Sequence, residues 1–156
     1  MAACMAEHGL KRDAIGITYD GTGMGTDGAI WGGGFLVGSE GKFSRAGHWK
    51  YVALQGGDSA IKEPWKSAAS YLYAMGINSG ELLNSVDIVD SINSLKVKVI
   101  QNAIKNNINC FKSSSIGRLF DRVSALVTKR MHITYDAQAA IELLSQRREI
   151  MCLAVP

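Results

Sequence analysis

A glycine-rich stretch near the start of the chain, residues 20–28 (DGTGMGTDG), contains groups that could bind phosphate. Glycine leaves the backbone N–H groups unshielded, so that consecutive amides can point at one anion. Asp20, at the end of a predicted strand, could help to hold a metal-nucleotide, and Thr22 and Thr26 add hydroxyls. A plain hairpin with a glycine-rich turn explains these residues equally well, and both interpretations stay open on this evidence.

The same stretch contains the spacing G-x-G-x-x-G at Gly23, Gly25 and Gly28. A dinucleotide-binding fold requires a helix immediately after these glycines. Residues 30–35 (IWGGGF) disfavour a helix, because each internal glycine costs about 0.8–1.0 kcal/mol relative to alanine. We therefore do not expect a dinucleotide-binding fold.

The elements that position this loop are predicted from hydrophobic periodicity. Alternating apolar residues indicate three antiparallel strands, with the glycine-rich loop between the first and the second, and about four helices follow. This order predicts an α+β fold in a single incomplete domain over residues 1–156. The predicted segments are the end of a helix at 1–10, a β meander at 14–53 with strands at 14–19, 30–37 and 42–52, a mostly helical region at 58–149, and a truncated strand at 150–156.

Composition favours a globular protein that binds neither nucleic acid nor membrane. The chain has 156 residues, 47% of them hydrophobic, and a net charge of +3. Its basic residues are scattered, whereas a nucleic-acid-binding surface concentrates them. The sequence shows no targeting segment and no apolar run long enough to cross a bilayer. The three cysteines show no metal-binding spacing, which predicts free thiols in the cytoplasm.

Four stretches stand out, in this order: TYDGTGMGTDGAIWGGGF, HWKYVALQGGDSAIKEPWKSAA, SSSIGRLFDRVSAL and ITYDAQAAIELL. Together they closely resemble the HypF family, the carbamoyltransferases of [NiFe]-hydrogenase maturation. The resemblance is to the C-terminal transferase domain of that family. It implies the actin-like ATPase fold and ATP or carbamoyl-adenylate as the bound nucleotide. It also implies transfer of a carbamoyl group, from carbamoyl phosphate and ATP, to the C-terminal cysteine of HypE, for synthesis of the cyanide ligand.

The resemblance also implies which residues contact the nucleotide or substrate. They fall in the glycine-rich loop, in the Gly56-Gly57-Asp58 turn, and in two later helices. Ala137 stands where the family has glycine, which leaves a close approach of the backbone to the ligand at that point open. The implied residues are Asp20, Gly21, Thr22, Gly23, Gly25, Asp27, Gly57, Asp58, Gly117, Asp121 and Gln138.

Other family features are missing from this chain. The full-length family binds zinc or iron through a histidine cluster and a distant aspartate, and none of His8, His48 and His132 has a second histidine at helical spacing. We therefore do not expect this chain alone to transfer a carbamoyl group. HypE and the rest of the transferase domain are the implied partners, and exposed sheet edges predict self-association.

Two alternatives remain. One is a truncated, non-catalytic module that binds a nucleotide or a partner. The other is a relative of the tRNA threonylcarbamoyl transferases, against which Trp31 and Trp65 argue, since those proteins are expected to lack both surrounding stretches.

Overall fold

The computed structural model of the chain describes residues 1–39, 41–77 and 94–153. Helices and a three-stranded antiparallel sheet lie in separate parts of the sequence, which confirms the predicted α+β class. None of the helices in these three ranges is long and apolar enough to cross a membrane. The elements are α1 (Ala2–Glu7), β1 (Ala14–Tyr19), β2 (Gly33–Gly38), β3 (Phe43–His48), β4 (Val52–Gln55), α2 (Asp58–Lys62), α3 (Pro64–Ala74), α4 (Ser94–Lys105), β5 (Cys110–Ser113), α5 (Ile116–Val127) and α6 (Gln138–Leu153).

The chain divides into two compact units, where the sequence predicted one domain. Unit 1 comprises Met1–Tyr51 and Ser113–Ile116. Unit 2 comprises the described parts of Val52–Lys112 and Gly117–Pro156. The predicted nucleotide-contacting residues are therefore shared between two units, and each unit is described by itself.

The sheet of unit 1 is the predicted meander, in the order β1-β2-β3 with antiparallel neighbours. Ile17 of β1 pairs with Phe35 of β2, and the register between β2 and β3 shifts at Phe35/Leu36. β2 begins at Gly33, later than predicted. Ile30 instead forms isolated bridges to Met24, antiparallel, and to Ser113, parallel.

The predicted third strand, 42–52, is wrong in its extent. β3 ends at His48, and Val52–Gln55 pairs with Cys110–Ser113 in a separate two-stranded sheet. Burial explains the break, because Val52 and Leu54 are 5% and 1% exposed and their apolar side faces the interior of unit 2. The strand at Cys110–Ser113 was missed, since four residues carry too little periodicity to be recognised.

The sequence spaces five apolar residues as one helical stripe, Trp65, Ala68, Ala69, Leu72 and Met75, and helix α3 buries the first four. Pro64 occupies its first turn, where a missing N–H costs nothing. Met75, the last residue of the predicted stripe, follows the helix and is exposed. The core of unit 2 forms between α3 and α4, and its buried residues are Trp65, Ala69, Val97, Ile100 and Met131.

The end of the chain corrects the predicted truncated strand at 150–156. Helix α6 continues to Leu153, and residues 154–156 lie outside the described residues. Neither glycine nor proline interrupts the sequence between Gln138 and Leu153, and adding a residue to a formed helix costs far less than nucleating one. The sequence of residues 80–91 predicts a weakly helical connector, and this segment also lies outside the described residues.

Candidate functional site

The glycine-rich stretch forms a hairpin that closes on itself. The Trp31 amide donates to the Gly23 carbonyl at 2.7 Å, and the Gly25 amide donates to the Ala29 carbonyl at 2.8 Å. The Gly28 amide donates back to the Gly25 carbonyl at 3.2 Å. Gly28 has φ 74, a left-handed conformation that glycine adopts without strain. The backbone of the hairpin is therefore held by its own ladder.

Gly25 is required by the packing of Trp31. A Cβ atom added at Gly25 would lie 1.9 Å from Nε1 of Trp31. The indole N–H in turn donates to the Asp27 carboxylate at 2.7 Å. Two of the predicted ligand-contacting residues, Gly25 and Asp27, thus have a structural role within the hairpin.

Asp27 is the centre of a hydrogen-bonded cluster. Its carboxylate accepts hydrogen bonds from the Tyr51 hydroxyl at 2.6 Å and from the Ala29 amide at 3.2 Å. Arg45 Nη1 lies 3.6 Å from the same carboxylate and donates to the Tyr51 hydroxyl. The hydrogen bond from Tyr51, above all, lowers the pKa of Asp27 to about 2. Burial, followed by the hydrogen bond to Asp27, raises the pKa of Tyr51.

The base of the hairpin is held by a serine segment, residues 113–115. The Ser115 hydroxyl lies 2.8 Å from the carbonyl oxygens of both Asp20 and Gly21, to which it donates. The Ser114 amide donates to the Ile30 carbonyl at 2.9 Å. The beginning and the end of the hairpin are thus tied to one segment.

Two glycines allow the serine segment to approach. A Cβ atom at Gly33 would lie 2.2 Å from the Ser114 carbonyl oxygen, and one at Gly32 would lie 2.5 Å from the Asp20 carbonyl oxygen. Both positions exclude a side chain because backbone atoms occupy the space. The WGGGF sequence that argued against a helix is explained by this packing.

The first arm of the hairpin and its tip both remain accessible. Thr22 and Thr26 are exposed, and Gly23 is half-buried. The Asp20 carboxylate accepts a 2.6 Å hydrogen bond from the Gly21 amide and is exposed. A hairpin with a fixed base and an exposed tip can present hydroxyls and backbone amides to a ligand.

In unit 2, Asp58 lines an open cleft of 570 Å³ together with Lys62 and residues 133–136. Gly57, the N-cap residue directly before helix α2, has φ 54. The Ile133 amide donates to the Lys62 carbonyl at 3.0 Å, which connects the two walls. Asp58 and Tyr135, which belong to two different stretches of the sequence, therefore line one cleft.

The Gln138 side chain holds one wall of this cleft through hydrogen bonds. Its carbonyl oxygen accepts the Thr134 amide at 2.8 Å, and its amide nitrogen donates to Glu142 at 2.9 Å. Glu142 also accepts two hydrogen bonds from Arg130, at 2.6 and 2.8 Å, which lower its pKa. Gln138 is 8% exposed, so that its side chain positions Thr134 in the cleft wall.

Asp121 lies in a buried charged cluster on α5. It is 3% exposed, and its Oδ2 lies 2.7 Å from Nη1 of Arg118. Burial raises the pKa of Asp121, although Arg118 and Arg122 oppose the shift. Arg122 is 2% exposed, its guanidinium lies 4.0 Å over the Tyr71 ring, and burial lowers its pKa to about 10. Gly117 is the second residue of the same helix, and neither Gly117 nor Asp121 lines the Asp58 cleft.

A metal site is not formed by the described ranges 1–39, 41–77 and 94–153. They contain no group of three His, Cys, Asp or Glu side chains that could hold a metal ion. The zinc or iron that the family implies has no ligand set in this part of the chain.

Sequence reasoning missed the residues that hold the hairpin. Arg45 and Tyr51 are 18 and 24 residues from Asp27 in the chain, and Ser114 is farther still. The partial signal was Trp31 beside three glycines, because a large aromatic next to Gly-Gly-Gly indicates close packing.

Comparison with known proteins identifies the family. The family model described as "Carbamoyltransferase, Kae1-like Domain, second subdomain" matches residues 16–151. The carbamoyltransferase HypF homolog of Cupriavidus necator is 36% identical over 143 residues, covering 92% of this chain and 36% of that protein. Carbamoyltransferase HypF2 of the same organism is 38% identical, covering 92% of this chain and 17% of its own length. The chain thus spans between 17% and 36% of these relatives.

Solved structures agree with the sequence comparison. A crystal structure of full-length HypF in the phosphate- and nucleotide-bound form superposes with a TM-score of 0.82 at 40% identity, over 91% of this chain and 18% of that one. The structure of HypF from T. kodakarensis gives a TM-score of 0.78 at 29% identity, over 91% of this chain and 19% of that one. The chain belongs to the HypF carbamoyltransferase family and corresponds to the second subdomain of its Kae1-like domain.

Proposed function

We propose that this chain supplies part of the nucleotide-binding surface of a HypF-type carbamoyltransferase. The observation that carries the proposal is the hairpin at residues 20–32, whose base is tied to Ser115 while Thr22 and Thr26 stay exposed. Support comes from the full-length HypF crystal structure, which resembles this chain and is described as phosphate- and nucleotide-bound. The bound species is ATP or carbamoyl-adenylate.

The surrounding reaction is carbamoyl transfer. In this proposal the subdomain belongs to an actin-like ATPase fold, and the complete protein passes an activated carbamoyl group to the C-terminal cysteine of HypE. The contribution of this chain is binding and orientation. The hairpin offers backbone amides and hydroxyls to phosphate oxygens, which requires no proton transfer by the chain itself.

The rest of the transferase domain is the proposed partner. Ile15, Ile17 and Tyr19 alternate along β1 and are 73%, 60% and 59% exposed. An apolar strand face of this kind is typical of a surface that another part of a protein covers. The family description, which names a second subdomain, supports a neighbouring subdomain as that part.

Calorimetric titration with Mg-ATP tests the nucleotide proposal. Gly23→Ala adds one methyl group on the first arm of the hairpin, where its Cβ would make an ordinary 3.6 Å contact with Asp20 Oδ2. The fold tolerates this methyl, whereas a phosphate seated against the backbone does not. We expect saturable binding by the wild-type chain and about tenfold weaker binding by Gly23→Ala, a loss of about 1.4 kcal/mol.

Gly41→Ala is the matched control. A Cβ atom at Gly41 meets nothing within 4 Å, so that this variant should bind as the wild type does. Circular dichroism establishes that all three proteins are folded. Equal affinity of the two variants would remove the hairpin from the site, and no heat from a folded wild-type chain at millimolar ATP would refute nucleotide binding by the chain.

A further inference from the structure

Arg45 connects the hairpin to the rest of unit 1. It lies in β3, and its side chain is only 10% exposed. Its Nη2 donates to the Ser114 hydroxyl at 2.9 Å, and its Nη1 donates to the Tyr51 hydroxyl. One guanidinium therefore contacts the serine segment and the chain that leaves β3.

The same guanidinium stacks on the hairpin. Its Cζ lies 4.0 Å from the centre of the Trp31 ring and 5.5 Å from that of the Tyr51 ring. A cation over an aromatic face is attracted by the ring quadrupole, and more strongly where water is excluded. Gly25 also lies against the Trp31 indole and has no side chain to compete for the space.

These contacts form a continuous chain from Arg45 to the hairpin tip. Arg45 fixes the plane of the Trp31 ring, Trp31 fills the space beside Gly25, and the indole N–H orients Asp27. Tyr51 connects Arg45 to Asp27, since its hydroxyl accepts a hydrogen bond from Arg45 and donates one to Asp27. The four side chains of Arg45, Trp31, Tyr51 and Asp27 are called the hairpin clamp below.

Arginine has properties here that lysine lacks. Its planar group presents several N–H donors in a fixed geometry and can stack on an aromatic ring at the same time. Lysine would keep the charge and one hydrogen bond. It would lose either the stacking on Trp31 or the contact with Ser114.

We propose that Arg45 is a positioning residue that sets the conformation of the glycine hairpin through the hairpin clamp. Arg45 acts through Trp31 and Asp27 and does not itself contact the ligand. Any effect on nucleotide affinity rests on the proposed function, whereas the effect on the hairpin itself does not.

Amide hydrogen exchange in the ligand-free chain tests this proposal. The Gly25, Gly28 and Trp31 amides are bonded within the hairpin, so their exchange reports its opening. We expect Arg45→Met to accelerate exchange at these amides by about tenfold or more, while amides of α3 in unit 2 stay unchanged. Arg45→Lys should give an intermediate rate, because it restores the charge without the planar group.

Lys50→Met is the matched control, since Lys50 is an exposed cation on the segment between β3 and β4. It should leave hairpin exchange unchanged. A folded Arg45→Met variant whose hairpin amides exchange at the wild-type rate would overturn the proposal. An Arg45→Lys variant whose hairpin amides are as protected as in the wild type would also overturn it. Should Arg45→Met fail to fold, Arg45→Lys and Tyr51→Phe carry the test, with selective acceleration at the hairpin expected for both and an absence of acceleration refuting the clamp.

Nucleotide titration of the same variants separates the two proposals. If Arg45→Met accelerates hairpin exchange and the wild-type chain binds no ATP, the clamp is supported and the nucleotide function is refuted. If the wild-type chain binds ATP and Arg45→Met leaves hairpin exchange unchanged, only the clamp is refuted.

Discussion

The Tyr51 hydroxyl donates a 2.6 Å hydrogen bond to the Asp27 carboxylate, across 24 positions of sequence. This bond joins the segment after β3 to the glycine hairpin. It places a titratable group at the point where the hairpin conformation is fixed, and it makes that conformation dependent on pH.

Acid should open the hairpin in a defined range. The pKa of Asp27 is about 2 in the folded chain and 3.8 ordinarily. Because the folded value is lower, the stabilisation is complete above 3.8 and is lost as pH falls through about 2. The Trp31 indole N–H resonance should follow this titration. Tyr51→Phe should move its midpoint upward, towards 3.8, whereas the exposed Tyr19→Phe should leave it unchanged; an unmoved midpoint in Tyr51→Phe would contradict the assignment.

Ala137→Gly should stabilise the protein. Ala137 has φ 62, a conformation that costs a residue with a Cβ roughly 1–2 kcal/mol. Glycine removes that strain but gains freedom in the unfolded chain, so the net increase in unfolding free energy should be about 0.5–1 kcal/mol. Ala140→Gly, within α6, should instead lower the unfolding free energy by about 1 kcal/mol. Chemical denaturation measures both, and a loss of stability in Ala137→Gly would disprove the strain argument.

The charged cluster on α5 should respond unequally to two similar substitutions. Arg122→Met removes the cation that lies over the Tyr71 ring, a guanidinium whose Nε and Nη2 have no hydrogen-bond partner within the described residues, while the Arg118–Asp121 pair remains. Because the cost of burying this charge opposes the contacts it makes, we expect the unfolding free energy to change by less than about 1 kcal/mol. Arg118→Met leaves Asp121 buried without its ion-pair partner and should cost about 3 kcal/mol. Thermal unfolding distinguishes the two, and equal effects would show that the cluster is not organised around Asp121.

Self-association should depend on the exposed face of β1. Ile17→Lys places a charge among Ile15 and Tyr19, which should favour the monomer in sedimentation experiments because charges on an edge strand oppose pairing. Ile108→Lys is the control, since Ile108 is 59% exposed, close to the 60% of Ile17, but lies in a turn of unit 2. Equal sedimentation of both variants and the wild type as monomers would contradict the predicted association.

Local patterns predicted part of this structure well. The meander and the stripe of Trp65, Ala68, Ala69 and Leu72 follow from residue periods of two and 3.6, which need no knowledge of distant partners. The position of β4 did not follow in this way, because neither glycine nor proline separates the two strands between residues 48 and 55, and only burial in unit 2 distinguishes them.

Part of the candidate site was likewise predicted from the sequence, and part was not. Glycines marked the hairpin, and the family resemblance pointed to the residues around it. The hairpin clamp escaped detection because Arg45 and Tyr51 are 18 and 24 residues from Asp27 and meet it only in the folded chain. Asp121 and Gln138 are expected at a ligand, and this stays a prediction; within the chain, Asp121 pairs with Arg118 and Gln138 bonds to Thr134. The i,i+3 spacing of Arg118 and Asp121 is visible in the sequence, whereas the burial of the pair depends on tertiary packing.

The serine segment also determines when the chain can fold. Unit 1 takes residues 113–116 from far along the sequence, and Ser115 provides the hydrogen bonds that hold Asp20 and Gly21. During synthesis, the β meander leaves the ribosome before Ser115 is made, so that the base of the hairpin lacks the Ser115 hydrogen bonds until then. The hairpin is therefore made before the segment that secures its base, and its closure depends on a contact between residues far apart in the sequence.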